Sequence, residues 1–181
     1  MKSKFSSLKK NLNSILAMVS ILTFGLVLFG PSWSNPFVFD DIIKIQENSD
    51  LKTEVSILKT LIYPYQKNTT HLRNDPSRPL VYIIYRLCFQ AANGQPWPFH
   101  LVNTIIHCLN AVLVFLFAGL LTGRLFLNSS LKPGTVSAFL FLVLPINANS
   151  VLYAYALSEL LVTFFLLAAL YAYFKSEKFV S

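Results

Sequence analysis

The chain has 181 residues, of which 54% are hydrophobic and 13% are charged, whereas soluble domains carry about 25% charged residues. This composition excludes an ordinary soluble domain and predicts an integral membrane protein. The net charge of +7 does not indicate nucleic-acid binding, because the basic excess lies in three short segments that flank apolar runs.

The distribution of charge predicts the orientation of the chain in the membrane. The segments assigned to the cytoplasmic side contain eight basic residues and one acid, namely Lys2, Lys4, Lys9, Lys10, Arg124, Lys132, Lys175, Lys178 and Glu177. The long segment over residues 31–99 is nearly neutral, with seven basic and six acidic residues. The positive-inside rule therefore predicts two cytoplasmic termini and an outer or lumenal loop, in a bacterial inner membrane or an endoplasmic reticulum membrane.

The first apolar run extends from Leu12 to Gly30. Its 19 residues correspond to ~28 Å of helix, close to the ~30 Å thickness of the hydrocarbon core. A cleaved signal peptide is the alternative. Because no small-x-small site ends the run and Pro31 follows Gly30 directly, we expect an uncleaved membrane anchor.

Two adjacent carboxylates, Asp40 and Asp41, follow this anchor in the sequence Phe37-Val38-Phe39-Asp40-Asp41. A pair of acids where a membrane surface meets water is the feature of this chain that most suggests chemistry. The alternative is a solvated turn or a helix N-cap, because an Asp at the start of a helix accepts hydrogen bonds from its first N–H groups. A divalent cation shared by the two acids is also open, since Mg²⁺ takes one or two carboxylates and keeps several waters.

The outer loop contains two predicted amphipathic helices. The first is capped by Asp50 and runs from Leu51 to Ile62, with its apolar residues on one stripe. The second, from Leu80 to Ala92, contains Arg86 and measures only ~20 Å. It is too short to span a bilayer, so we expect it in the interface or under the bundle. Asn68-Thr69-Thr70 is a candidate glycosylation acceptor.

The second apolar run, Leu101 to Leu121, is long enough to cross the membrane at ~31 Å. Four polar residues share one of its helical faces, namely His100, Asn103, His107 and Asn110. Turned toward lipid, they would be left unsatisfied, so this face should contact other helices or a hydrated cavity. Interhelical hydrogen bonding and ligand binding both fit. Two histidines seven residues apart, with no carboxylate nearby, do not indicate a metal site.

From Pro133 to Phe174 the chain has 42 residues and one charge, Glu159. As a single helix this run would measure ~63 Å, twice the membrane thickness, so it must fold back. The predicted turn is Pro145 to Ser150. Glu159 is a functional candidate because a carboxylate within a span is costly unless it is paired, protonated or near the surface. The alternative is an interfacial acid without a role.

The predicted fold class is therefore all-α, a polytopic helical membrane protein with four transmembrane helices and a long outer loop. In chain order we predict a cytoplasmic N-terminus, the first span, the outer loop, the second span, an inner loop, a helical hairpin and a cytoplasmic tail, over residues 1–11, 12–30, 31–99, 100–122, 123–134, 135–174 and 175–181.

Several motifs, in this order, resemble the start of a membrane glycosyltransferase of the GT-C superfamily. They are Phe37-Val38-Phe39-Asp40-Asp41, Arg78-Pro79-Leu80, Phe99-His100-Leu101-Val102-Asn103 with His107, Leu144-Pro145-Ile146, Ser150-Val151 and Ser158-Glu159-Leu160-Leu161. The resemblance covers residues from about 12 to 174. It is to O-mannosyltransferase-like proteins that carry tetratricopeptide repeats. This chain departs from the family pattern at three positions, where Leu144, Asn149 and Leu157 replace His, Glu and Arg.

The resemblance implies a partial GT-C fold and transfer of a monosaccharide from a polyprenyl- or dolichyl-phosphate donor. It assigns the catalytic base to Asp40, with Asp41 as its neighbour, and donor or acceptor binding to Arg78, Arg86, His100, Asn103, His107 and Glu159. The implied partners are the membrane, a lipid-linked sugar donor and an acceptor that the motifs do not specify. The resemblance implies no cofactor beyond the divalent cation already considered.

The chain ends after four predicted spans, whereas members of that family continue with many more. We therefore expect it to be an N-terminal portion that is inactive alone but belongs to a hexosyl- or mannosyltransferase-like enzyme. The alternative is a truncated, non-catalytic four-helix membrane protein with a scaffold or assembly role, which the three departures favour.

Overall fold

A computed structural model describes residues 2–52, 77–125 and 132–177 of the protein. Most of the predicted helix from Leu51 to Ile62 lies outside these residues, as does the glycosylation motif at Asn68. Within the described ranges the chain is helical and contains no β-strand.

Seven α-helices are described, and we number them in chain order. They are α1 (Lys2–Phe29), α2 (Ser49–Lys52), α3 (Pro79–Ala92), α4 (Trp97–Leu125), α5 (Lys132–Val143), α6 (Pro145–Leu152) and α7 (Leu157–Glu177). Two 3₁₀ segments, Gly30–Ser34 and Ala154–Ala156, and a π-helical turn, Ile42–Gln46, complete the described elements.

Three stretches are long and apolar enough to cross a membrane, namely Asn11–Ser34, Trp97–Thr122 and Ala154–Ser176. The helices α5 and α6 meet at a bend of 59° and together form a fourth candidate if they count as one broken span. The predicted all-α polytopic membrane protein is therefore confirmed. The helix α3, at 14 residues, is among the shorter apolar helices.

The segment predicted as the turn of the last hairpin is itself helical. Helix α5 ends before Leu144, and Pro145 begins α6, because a proline has no N–H to continue the preceding helix but fits the first position of a new one. The chain becomes extended again at Tyr153, with φ −99° and ψ 113°. The α-helix is therefore interrupted at two points, at Leu144 and at Tyr153, on either side of the predicted turn.

The chain divides into two compact units. The first unit comprises Met1–Leu28, Thr104–Ala148 and Leu160–Ser181, and the second comprises Phe29–Asn103 and Asn149–Glu159. In the first unit, helices α1, α4 and α5 share a core of buried small and large side chains, namely Ile21, Cys108, Ala111, Phe115, Ala138 and Leu142.

Two glycines allow close helix contacts in the first unit. A Cβ atom at Gly25 would overlap the Sγ atom of Cys108, and one at Gly134 would lie 2.6 Å from the carbonyl oxygen of Phe115. Small residues at helix contacts are typical of membrane proteins, where close backbone approach supplies van der Waals attraction.

The core of the second unit is aromatic. The ring of Phe99, at the start of α4, lies 5.4 Å from that of Phe37 and 5.8 Å from that of Tyr85 on α3. Tyr85 also lies 6.4 Å from Tyr155 and donates a hydrogen bond from its hydroxyl to the carbonyl of Ala154 at 3.2 Å. This cluster fixes the segment after α1 against the segment before α7.

Candidate functional site

The two acids lie on a tight turn whose conformation separates their side chains. Phe39 has a positive φ of 50°, which is rare for a bulky residue and unfavourable. The turn is closed by hydrogen bonds from the N–H of Asp41 to the carbonyl of Val38, at 3.0 Å, and from the N–H of Ile42 to the carbonyl of Phe39, at 3.2 Å. As a result, Asp41 is fully buried whereas Asp40 is exposed.

Asp41 joins two segments that are distant in sequence. Its Oδ1 accepts a hydrogen bond from the N–H of Tyr155 at 2.7 Å, and its Oδ2 accepts one from the N–H of Val38 at 3.3 Å. Burial raises the pKa of this carboxyl above its ordinary value, and the charge of Asp40 adds to that effect, although the backbone hydrogen bonds oppose it. The Asp41 carboxylate makes no hydrogen bond that caps the π-helical turn after it, so Asp41 does not act as a side-chain N-cap.

Asp40 lines an open cavity of about 480 Å³. The other lining residues are Val38, Phe39, Asn149, Leu152 and Tyr153. The walls are mainly apolar, and the carboxylate of Asp40, the amide of Asn149 and the phenol of Tyr153 are the polar side-chain groups. A cavity of this size lies within the ~300–1,000 Å³ range of small-molecule sites.

Tyr153 is the polar residue of this cavity that the sequence did not single out. Its hydroxyl accepts a hydrogen bond from the backbone N–H of Asp40 at 3.1 Å, across 113 positions of sequence. Tyrosines are common at membrane boundaries, and Tyr153 lies at the start of the Ala154–Ser176 candidate span. A tyrosine at a membrane boundary could have been identified from the sequence, but its hydrogen bond with Asp40 could not.

The shared-cation alternative is not supported by the geometry of the acids. Both oxygens of Asp41 accept backbone hydrogen bonds and the side chain has no exposed surface. A cation in the cavity would therefore contact Asp40 without Asp41. In the described part of the chain, no group of three or more His, Cys, Asp or Glu side chains could hold a metal.

Asn103 holds the end of α6. Its amide nitrogen donates to the carbonyl of Tyr153 at 2.9 Å, with longer contacts to the carbonyls of Ala154 at 3.4 Å and Ser150 at 3.5 Å. The carbonyl of Ser150 belongs to the last turn of α6, where carbonyls have no partners within the helix, whereas those of Tyr153 and Ala154 lie between α6 and α7. This contact favours the structural interpretation of Asn103 over ligand binding.

The whole polar face of α4 is buried, as predicted for a face turned away from lipid; the residues are His100, Asn103, His107 and Asn110. In the first unit, the ring of His107 stacks on Phe141 with 5.0 Å between centroids. Asn110 donates to the carbonyl of Leu160 at 3.0 Å. These contacts favour interhelical packing for His107 and Asn110.

Arg86 is also held by structural contacts. It is 3% exposed, and its Nη2 donates to the backbone carbonyl of Asp50 at 2.6 Å. Burial lowers the pKa of its guanidinium. Asp50, predicted to cap the helix after it, instead lies in the first turn of α2, where its N–H donates to Oδ1 of Asn48 at 3.0 Å. Arg86 and Asn48 thus fix α2 beside α3.

Arg78 and Glu159 lie near the start of α7. The Nη1 of Arg78 donates to the hydroxyl of Ser158 at 3.2 Å, and the hydroxyl of Ser150 donates to Oε2 of Glu159 at 3.1 Å. Both contacts are exposed. Arg78 also precedes Pro79, which occupies the first turn of α3.

The second unit thus contains Asp40, Asp41, Arg78, Arg86, His100, Asn103 and Glu159. His107 belongs to the first unit. Of the predicted site residues, Asp40 is the one that lines the cavity. Asp41 and Asn103 act on the segments around it, since they contact residues 155 and 153 through the backbone.

No family model and no solved structure matches the chain. In an alignment of 147 positions that covers 78% of the chain, it is 33% identical to mouse protein O-mannosyl-transferase TMTC3. In an alignment of 173 positions that covers 92% of the chain, it is 31% identical to the human TMTC3 protein. In an alignment of 164 positions that covers 83% of the chain, it is 27% identical to human protein O-mannosyl-transferase TMTC4.

The chain spans between 15% and 22% of the length of these three relatives. The similarity covers most of the chain. This integral membrane protein is thus similar in sequence to part of the proteins named protein O-mannosyl-transferases.

Proposed function

We propose that the chain is part of a membrane glycosyltransferase that transfers a monosaccharide from a polyprenyl- or dolichyl-phosphate donor to an acceptor hydroxyl, on the outer or lumenal side. The observation that carries this proposal is the exposed carboxylate of Asp40 in a cavity of about 480 Å³. The similarity to proteins named O-mannosyl-transferases supports the same reaction class.

In the proposed step, Asp40 acts as the general base. Its carboxylate takes the proton of the acceptor hydroxyl while the oxygen attacks the anomeric carbon of the donor sugar. The bond between that carbon and the phosphate oxygen breaks, and its electron pair leaves with the lipid phosphate. A positioned base contributes typically 10²–10⁴-fold to rate. Asp40 can contact a substrate because it is exposed, whereas Asp41 is buried and positions Asp40.

The leaving phosphate carries negative charge, which a cation stabilises. Arg78 is the better of the two predicted arginines because its contact with Ser158 lies at the surface. Arg86 is 3% exposed and donates to a backbone carbonyl, so it could not reach a phosphate without leaving its site. We therefore assign phosphate binding to Arg78 and a structural role to Arg86.

The proposed topology places both termini in the cytoplasm and Asp40 on the opposite side. The charge distribution supports it. Cysteine variants at exposed positions in residues 31–52, labelled in sealed vesicles with a membrane-impermeant maleimide, test this orientation. Labelling from the cytoplasmic side only would contradict the proposed topology.

A non-catalytic scaffold is the second candidate, and one observation favours it. Asn149 lines the cavity. The O-mannosyltransferase-like family that the chain resembles has Glu at this position. The cavity walls therefore carry a single carboxylate, that of Asp40. A scaffold derived from the enzyme fold would retain the cavity and the buried Asp41 contacts without turnover.

Transfer of labelled mannose separates the two candidates. Membranes containing the chain, expressed with whatever its reading frame encodes downstream, are supplied with either polyprenyl-phosphate mannose or a nucleotide-linked mannose. If the chain is part of an enzyme, mannose should be transferred from the lipid-linked donor. None should be transferred from the nucleotide-linked donor when synthesis of polyprenyl-phosphate mannose from it is blocked. The scaffold proposal predicts no transfer from either donor.

A further inference from the structure

We infer that Val38, Phe39, Ile42 and Ile43 form a surface that inserts into the lipid–water boundary. This insertion positions the opening of the Asp40 cavity at that boundary. We call these four residues the Phe39 surface. Its insertion stands independently of the chemistry, but its effect on catalysis rests on the proposed function.

The Phe39 surface is a concentration of exposed apolar side chains. Phe39 is 83% exposed, and the other three are between 38% and 45% exposed. All four lie within six consecutive residues that follow the first candidate span. Single exposed apolar residues are ordinary, but a contiguous patch typically marks a binding surface.

The position of this patch along the chain identifies lipid as its partner. The first candidate span ends at Ser34, and Phe39 follows five residues later. Even a fully extended chain covers at most about 17 Å over that distance. Phe39 is therefore tethered close to the bilayer, where an aromatic ring is favoured at the headgroup level.

The backbone supports the same conclusion. Phe37 turns its ring inward against Phe99, whereas Phe39, two residues later, adopts a positive φ of 50° and turns its ring outward. A bulky side chain in this conformation is strained, and such strain concentrates at functional sites. In water the exposed ring would gain no burial to offset the strain, but in the interfacial layer it would lose contact with water.

The Phe39 surface also belongs to the cavity. Val38 and Phe39 line its wall beside Asp40. Residues that contact lipid on one side and the cavity on the other would let a donor enter sideways, with its hydrocarbon chain still in the bilayer. The surface would thus favour lipid-linked donors over water-soluble ones.

A spin-label experiment tests the insertion without any enzymatic assay. Phe39→Cys and the matched control Glu47→Cys, an exposed position beyond the π-helical turn, are labelled with a nitroxide in lipid nanodiscs. The native Cys88 and Cys108 can stay because they are 5% and 1% exposed. We expect the label at position 39 to collide more with dissolved oxygen than with a water-soluble nickel chelate, and the label at position 47 to show the reverse.

Two results would overturn the inference. Nickel collisions at position 39 as frequent as at position 47 would place Phe39 in water. Low collision rates with both reagents would place it under protein.

Donor kinetics test the consequence for the proposed reaction. Phe39→Ala should raise KM for a long-chain polyprenyl-phosphate donor about tenfold, which corresponds to ~1.4 kcal/mol, while leaving kcat within about twofold. Phe39→Trp should keep KM near the wild-type value. The rise in KM caused by Phe39→Ala should be smaller for a water-soluble short-chain donor than for the long-chain donor.

Failure of the inference and failure of the proposed function are distinguishable. Equal KM values for the long-chain donor in wild type and Phe39→Ala would refute the donor-entry role of the surface. No transfer by the wild-type protein from any donor would refute the proposed function and leave the spin-label result standing.

Discussion

Replacing Asp41 by alanine should destabilise the protein rather than only its chemistry. The change removes the acceptor of the N–H groups of Tyr155, at 2.7 Å, and Val38, at 3.3 Å. A buried donor left unsatisfied costs ~1–3 kcal/mol. Two such donors would together cost ~2–6 kcal/mol. Removing a buried charge acts in the opposite direction, so we expect a net loss near the lower end of that range, ~2 kcal/mol. For a chain of this size that corresponds to a fall of about 4–8 °C in unfolding midpoint.

The contribution of Asp41 to the stability of the folded state depends on pH, because folding changes the pKa of its carboxyl. Burial raises that pKa above 3.8, its ordinary value, so the folded state binds the proton more tightly than the unfolded state. The stabilising contribution is complete below pH 3.8 and is lost as the pH rises through the folded-state pKa. Asp41→Asn has no such titration. The wild-type midpoint should therefore rise relative to that of Asp41→Asn as the pH falls from neutral toward 3.8.

Thermal unfolding in detergent, followed by circular dichroism, measures both effects. Glu47→Ala is the matched control, because Glu47 is an exposed acid on the same segment and surface changes usually stay within about 0.5 kcal/mol. An Asp41→Ala midpoint equal to that of Glu47→Ala would refute the role of Asp41 as the acceptor that joins the two segments.

Two further predictions concern helix contact and the positioning of the base. Gly25→Ala should destabilise by ~1–3 kcal/mol, as overpacking does, because its Cβ would overlap Sγ of Cys108; Gly119→Ala, with open space around it, should not, and a similar loss in both variants would contradict the contact. Tyr153→Phe keeps the ring but removes the acceptor of the Asp40 N–H. At ~1 kcal/mol per hydrogen bond we expect kcat for mannose transfer to fall about fivefold with KM unchanged, and an unchanged kcat would exclude the positioning role.

The membrane fold could be predicted from the sequence because its signal is local. Uninterrupted apolar runs of sufficient length define helices that cross a bilayer, and the spacing of the polar residues on α4 correctly indicated a face turned away from lipid. The proline at position 145 signalled a break. The turn predicted from Pro145 to Ser150 was wrong, because Pro145 begins a new helix, α6.

The candidate site could be predicted only in part. The sequence drew attention to Asp40 and Asp41 together, but the contacts that distinguish them come from residues 153 and 155, more than 110 positions away. No local pattern encodes such pairs. Arg86 and Asn103 looked suited to ligands because they are polar residues in apolar helices, yet they satisfy backbone carbonyls at the ends of helical segments, which only the folded chain reveals.

The role of Asp40 as the base is tested most directly by comparing Asp40→Asn with wild type for transfer of labelled mannose from polyprenyl-phosphate mannose, with Glu47→Gln as the control. Asp40→Asn should insert into the membrane and unfold at the wild-type midpoint but lose at least about 10²-fold in kcat, since the base is removed. Glu47→Gln should transfer at the wild-type rate. Transfer by Asp40→Asn within about threefold of wild type would contradict the assignment of the cavity carboxylate as the base.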